Sequence, residues 1–197
     1  MAALATLSLV LASLFGILAI LLKSGHGPSW DQPILEYLDN RVPLASELVW
    51  PSAMAGPTVA VIAVPLLLRR QRRIDALLWA LGIGGVLILD PIFKDLVARM
   101  PPNNASHGFS FPSGSAMGLV AALAAYVVTG PSARRVEVAI GVVLVALWQG
   151  AILVSTRWHY PSDVVGGWLL AGAWMGMLLC ARLVSTRRPS EIETPVP

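Results

Sequence analysis

Residues 4–22 read LATLSLVLASLFGILAILL, a stretch with no charged side chain. A membrane-crossing helix needs about 20 consecutive apolar residues, and this run has that length. It lacks a basic start, and no clear small-residue cleavage site precedes the polar segment after it. It therefore reads as a span and not as a secretion signal. Five more runs of the same kind follow at residues 48–68, 76–93, 113–128, 136–154 and 164–184. The fourth of the six is short and carries glycine, which predicts a helix that starts below the membrane surface. The expected fold is all-α and integral to the membrane, with six transmembrane helices in one bundle.

Composition agrees with this reading. Of 197 residues, 56% are hydrophobic and 13% charged, against about a quarter charged in ordinary soluble chains. That balance excludes a soluble domain, a nucleic-acid binder and a disordered chain. The lone Cys180 excludes an internal disulfide framework and a cysteine-based zinc site.

The basic residues set the expected orientation. Arg69, Arg70, Arg72, Arg73, Arg134, Arg135, Arg182, Arg187 and Arg188 close or follow even-numbered runs, which puts nine of the 14 Lys and Arg on one side. The positive-inside rule assigns that side to the cytoplasm, with both termini. Residues 1–188 form the expected membrane domain. Residues 189–197, polar and proline-rich, form a short disordered cytoplasmic tail.

The remaining polar residues gather at three places on the opposite, outer face. Run three ends in Asp90, Lys94, Asp95 and Arg99. The loop before run four holds Asn103, Asn104, Ser106, His107 and then Phe111-Pro112-Ser113-Gly114-Ser115. The loop before run six holds Ser155 to Asp163, with Arg157 and His159. Ionisable groups near membrane depth are costly and point to function. Lys94, Arg99 and Arg157 are three cations able to face one anion. A helix opening at Pro112-Ser113-Gly114 offers free N–H groups and a positive dipole end to the same anion. Asp163 follows His159 by four residues, so a helix starting near Pro161 lets the carboxylate reach back to the imidazole and orient it. An oriented imidazole beside an anion pocket is a candidate nucleophile. The combination reads as phosphate ester or anhydride chemistry, with no metal and no cofactor called for.

These residues resemble the type 2 phosphatidic acid phosphatase superfamily of integral-membrane lipid phosphatases, over roughly residues 31–179. The family's first motif is a lysine, six residues, then Arg-Pro. Lys94 and Pro102 match it, Pro101 stands at the arginine position, and Arg99 lies two residues earlier. The second motif is Pro-Ser-Gly-His, here Pro112-Ser113-Gly114-Ser115. The third keeps His159 and Asp163, with Asp-Val-Val-Gly-Gly running to Gly167. Its arginine position holds Leu153, and Arg157 resembles an Arg-x-His-Tyr variant.

The resemblance implies that His159 attacks phosphorus and becomes a phosphohistidine, oriented by Asp163. It implies that Lys94, Arg99, Arg157, Ser113 and the Gly114 N–H hold the phosphoryl oxygens, and that position 115 belongs to the general acid. A serine hydroxyl cannot fill that role. Three readings follow: a diphosphate substrate whose leaving group needs no acid, His107 folding back as the acid, or inactivation, evolved or introduced. The expected partners are the bilayer and a phosphorylated lipid, polyprenyl diphosphate first, then phosphatidic acid or phosphatidylglycerol phosphate. A non-catalytic relative that binds or moves such a lipid is the rival reading. Compact length and basic inner loops suggest a bacterial plasma (inner) membrane, with the site facing the periplasm or outside.

Overall fold

The computed structural model describes residues 1–103, 108–130 and 135–186. The predicted tail at 189–197 lies outside the described residues. Among those described there are seven α-helices and no strand: α1 (Ala2–Lys23), α2 (Asp31–Leu38), α3 (Ala45–Arg69), α4 (Arg73–Val97), α5 (Gly114–Thr129), α6 (Arg135–Ser155) and α7 (Pro161–Thr186). Each of the six apolar runs is a helix. Except at the start of α5, their ends reach one to four residues beyond the runs, because backbone hydrogen bonding continues into the flanks. Five of the six are long and apolar enough to cross a membrane, and they present Leu9, Ile20, Val61 and Leu87 well exposed around the bundle. The chain is an integral membrane protein. The sixth, α5, has 16 residues, or about 24 Å at 1.5 Å per residue.

Helix α5 occupies the centre, packed by α3, α4, α6 and α7. Small residues make this possible, since helices in lipid associate by close backbone approach. A Cβ at Gly56 of α3 would strike the main chain of Gly118 in α5, and one at Gly167 of α7 would lie 2.6 Å from the Ser113 carbonyl oxygen. Phe15, Trp79, Phe111, Met117 and Met175 fill the core between these contacts.

Helix α2 has no counterpart among the six apolar runs. It is eight residues long and amphipathic, burying Asp31 and Leu35. It lies at the end of the bundle where α4 finishes and α5 and α7 begin. The opposite end is tied by Arg72 and Arg182, which both pair with Asp75 at 2.6 and 2.5 Å. Arg72 also donates to the Thr129 carbonyl at 2.7 Å.

Candidate active site

The start of α7 follows from its first residues. Pro161 takes the first helical position, where no N–H is needed. Asp163, two residues on, reaches back so that the Tyr160 N–H donates to Oδ2 at 2.9 Å, which is capping-box geometry. The chain ahead of the helix doubles back through Arg157 at φ 57°, and the His159 N–H donates to the Leu153 carbonyl at 3.2 Å. His159 is thus held by main-chain contacts on both sides of its loop.

Its ring is fixed by a carbonyl. Nδ1 lies 3.0 Å from the Ser110 oxygen and 3.8 Å from Asp163 Oδ2. A carbonyl only accepts, so Nδ1 carries a proton, and in the neutral ring Nε2 is the nitrogen with the lone pair. Asp163 therefore acts on the ring through its charge; the hydrogen bond that sets the tautomer comes from Ser110.

Asp163 is fully buried and its other oxygen accepts from Arg99 at 2.7 Å. The same guanidinium donates to Ser162 Oγ at 2.6 Å and to Asp31 Oδ2 at 2.7 Å, and lies 4.0 Å over the Tyr160 ring. Asp31 also accepts from the Ser162 N–H at 2.8 Å and its hydroxyl at 2.5 Å. This clamp joins α2, the end of α4 and the start of α7. Two carboxylates occupy Arg99, which is spent as an ion-pair partner.

The loop into α5 is anchored by Phe111. Its ring is fully buried, stacked on Phe15 at 5.5 Å, and lies where a Cβ at Gly166 would be. The Phe111–Pro112 peptide is cis. Ser113 caps α5, its Oγ accepting from the Ala116 N–H at 3.4 Å, and its own N–H donates to the Asp163 carbonyl at 3.0 Å. The N-terminus of α5 is thereby pinned beside the start of α7, next to His159.

Between these parts lies a cavity of about 500 Å³. Its polar end is lined by Asp90, Lys94, Ser110, Gly114, Ser115 and His159; the rest runs along Trp50, Met54 and Pro57 of α3 and Ile83, Val86 and Leu87 of α4. Lys94 Nζ donates to Asp90 Oδ2 at 2.9 Å. Gly114 has no side chain where Asp90 sits: a Cβ there would lie 2.7 Å from the carboxylate.

Of the residues singled out in the sequence, Asp90, Lys94, Asn103, Gly114, Ser115 and His159 line this one cavity. Ser113 is fully buried beneath it as the cap. Arg99 and Asp163 meet in the clamp. Arg157 pairs with Asp39 at 2.8 Å and does not line the cavity. The hydrogen bond from Arg157 holds the Asp39 carboxyl below the usual carboxylate range, and Asp39 raises Arg157 in turn. His107 lies outside the described residues. Two participants, Ser110 and Asp31, carry little signal in the sequence. Ser110 acts through its main chain, which no side-chain pattern reveals. Asp31 is legible only once α2 is recognised. Asp90 has the clearest mark, a carboxylate inside an apolar run four residues before a lysine.

A lysine, a helix N-terminus and an imidazole of fixed tautomer around one space define an integral membrane protein suited to an anionic group met at the end of its bundle. The chain belongs to the PAP2 superfamily, whose family model matches residues 75–188. Among curated proteins, lipid A 1-phosphatase of Rhizobium johnstonii is 28% identical over 134 residues, covering 57% of this chain and 52% of that protein. The chain thus spans about half the length of that relative. Among solved structures, a transmembrane PAP2 type phosphatidylglycerolphosphate phosphatase from Bacillus subtilis shares the fold, with a TM-score of 0.76 at 24% identity over 92% of this chain and 98% of that one.

Proposed function

We propose that this protein is a membrane lipid phosphatase or diphosphatase that works through a phosphohistidine on His159. The observation that carries the proposal is the His159–Ser110 hydrogen bond, at 3.0 Å, within a cavity that also holds Lys94 and the start of α5. The bond leaves Nε2 as the free nucleophile. Lys94 and the α5 N-terminus supply positive charge to the phosphoryl oxygens, so no metal is called for. Asp163 stabilises the ring as it becomes cationic. Arg99 and Arg157 serve by holding acidic residues in place.

The apolar walls from α3 and α4 support a lipid as the carrier of the phosphate. Position 115 narrows the choice of leaving group. A diphosphate expels a phosphate monoester with a second pKa of about 6, whereas an alkoxide near the pKa of water, about 15.7, needs a proton that Ser115 cannot give. Polyprenyl diphosphate is therefore the first-choice substrate. The similarity to a lipid A 1-phosphatase favours a second reading, a sugar 1-phosphate, whose hemiacetal oxygen also leaves more readily than a simple alkoxide.

The nine-to-five division of Lys and Arg supports six crossings, both termini in the cytoplasm, and a site on the extracytoplasmic face of a bacterial inner membrane. The test is phosphate release by the purified protein in detergent with a chelator present. The panel is polyprenyl diphosphate, lipid A 1-phosphate, phosphatidic acid and phosphatidylglycerol phosphate. Turnover of the first, lost in His159→Ala, supports the proposal. Specific lipid binding with no turnover would instead favour a non-catalytic lipid-binding relative.

A further inference from the structure

Asp90 is the one carboxylate lining the cavity among the described residues, and the mechanism above gives it no role. Its Oδ2 accepts from Lys94 at 2.9 Å. Its Oδ1 is buried and has no hydrogen-bond partner among the described residues. A buried carboxylate oxygen without a donor is costly. The carboxylate as a whole still borders the cavity, and its Oδ2, which accepts from Lys94, has a second lone pair for an O–H that enters. The first half of the reaction, with a good leaving group, needs no acid or base. The second half does need one: water must attack the phosphohistidine, and as it attacks it must lose a proton. His159 cannot take that proton, since Nε2 is bonded to phosphorus and Nδ1 already donates to Ser110. Lys94 is a donor, and Ser115 is too weak a base.

We infer that Asp90 is the general base for hydrolysis of the phosphohistidine, a role that rests on the phosphatase reading above. Water donates one O–H to Asp90 Oδ2, beside Lys94. Its oxygen forms the new bond to phosphorus, and the P–Nε2 bond breaks with its electron pair returning to the imidazole. The water proton moves to Asp90 and the other stays on the phosphate. Asp90 then returns its proton to the departing phosphate, and His159 regains the neutral Nδ1–H form. Lys94 holds the carboxylate toward the reacting group throughout. Gly114 is required beside it because any side chain there would occupy the carboxylate's place.

The test is rapid-quench kinetics on polyprenyl diphosphate carrying a labelled terminal phosphate, with wild type, Asp90→Asn, Asp90→Glu, His107→Ala and His159→Ala. Asp90→Asn should release close to one equivalent of prenyl monophosphate per enzyme in a fast burst, then turn over about 10²- to 10⁴-fold more slowly than wild type. Labelled phosphoenzyme should accumulate, and Asp90→Glu should recover part of the steady rate. The burst itself reports that the variant is folded and that its first half is intact. Burst and steady rate falling together, or steady turnover staying at the wild-type level, would overturn the inference. So would phosphoenzyme accumulating in His107→Ala and not in Asp90→Asn. A wild type that forms no phosphoenzyme, or one whose turnover survives His159→Ala, would instead remove the phosphatase reading beneath it.

Discussion

His159 Nδ1 stands 3.0 Å from the carbonyl oxygen of Ser110, so the tautomer of the proposed nucleophile is set by the main chain. The Asp163 carboxylate, at 3.8 Å, contributes by charge alone. Removing that charge in Asp163→Asn should slow turnover roughly 10³-fold, the size of an ion pair of ~4 kcal/mol at an effective dielectric near 20. The loss should fall short of the complete loss in His159→Ala. Steady-state assays of the two variants check this; equal losses would mean that Asp163 also sets the ring's geometry.

Arg99 bridges Asp31 and Asp163, both of which are buried. Arg99→Met leaves two buried carboxylates without their cation and should cost about 3–5 kcal/mol of stability. Asp31→Asn keeps the Arg99–Asp163 pair and should cost less. Thermal unfolding in detergent measures both, and a larger loss for Asp31→Asn would contradict the clamp.

Arg157 and Asp39 form a half-exposed pair outside the cavity lining. Arg157→Gln should change turnover by no more than about twofold, as expected for a surface ion pair, whereas Lys94→Gln should impair substrate binding strongly. The lowered Asp39 value also sets a sign for pH. A carboxyl depressed in the folded state adds stability above its unfolded value, and that addition disappears as pH falls through the lowered one. The difference in thermal midpoint between wild type and Asp39→Asn should therefore be present near neutrality and vanish in acid.

These cases separate what is legible in the sequence from what is not. Six apolar runs announce six helices because length and hydrophobicity are additive along the chain. Lys94, Ser115 and His159 converge because each sits at or beside the end of a helix at the same end of the bundle. Arg157 and Arg99 have the residue type of an anion ligand, yet their long side chains go to Asp39 and to the Asp31–Asp163 pair. Residue type records charge, while direction depends on which acid lies nearer. Helix α2 is too short for its periodicity to stand out, and with it Asp31 is hidden. Ser113 reads equally as a phosphate donor and as a cap, and its burial decides for the cap.

Position 115 gives the clearest chemical split. Ser115→His should raise turnover of a lipid phosphate monoester by about 10²- to 10⁴-fold and that of a diphosphate much less, because only the alkoxide needs a proton. Parallel assays on both substrates read the ratio. Equal gains would mean that the histidine aids binding or folding.

Membrane orientation is checked by labelling. In a Cys180→Ala background, cysteine at His26, exposed at the cavity end, should react with an impermeant thiol reagent on intact cells. Cysteine at Arg70, exposed at the other end, should react only after lysis. The reverse pattern would put the site in the cytoplasm.

The central claim is that phosphorus becomes bonded to His159 Nε2. Its most direct test is acid-free quenching of the protein during turnover of polyprenyl diphosphate, followed by mass spectrometry of the peptide that contains His159. One phosphoryl group is expected on that residue, lost in acid, stable in alkali and absent in His159→Ala. Sustained phosphate release with no phosphoryl group on His159 at any quench time, and with undiminished turnover in His159→Ala, would contradict it.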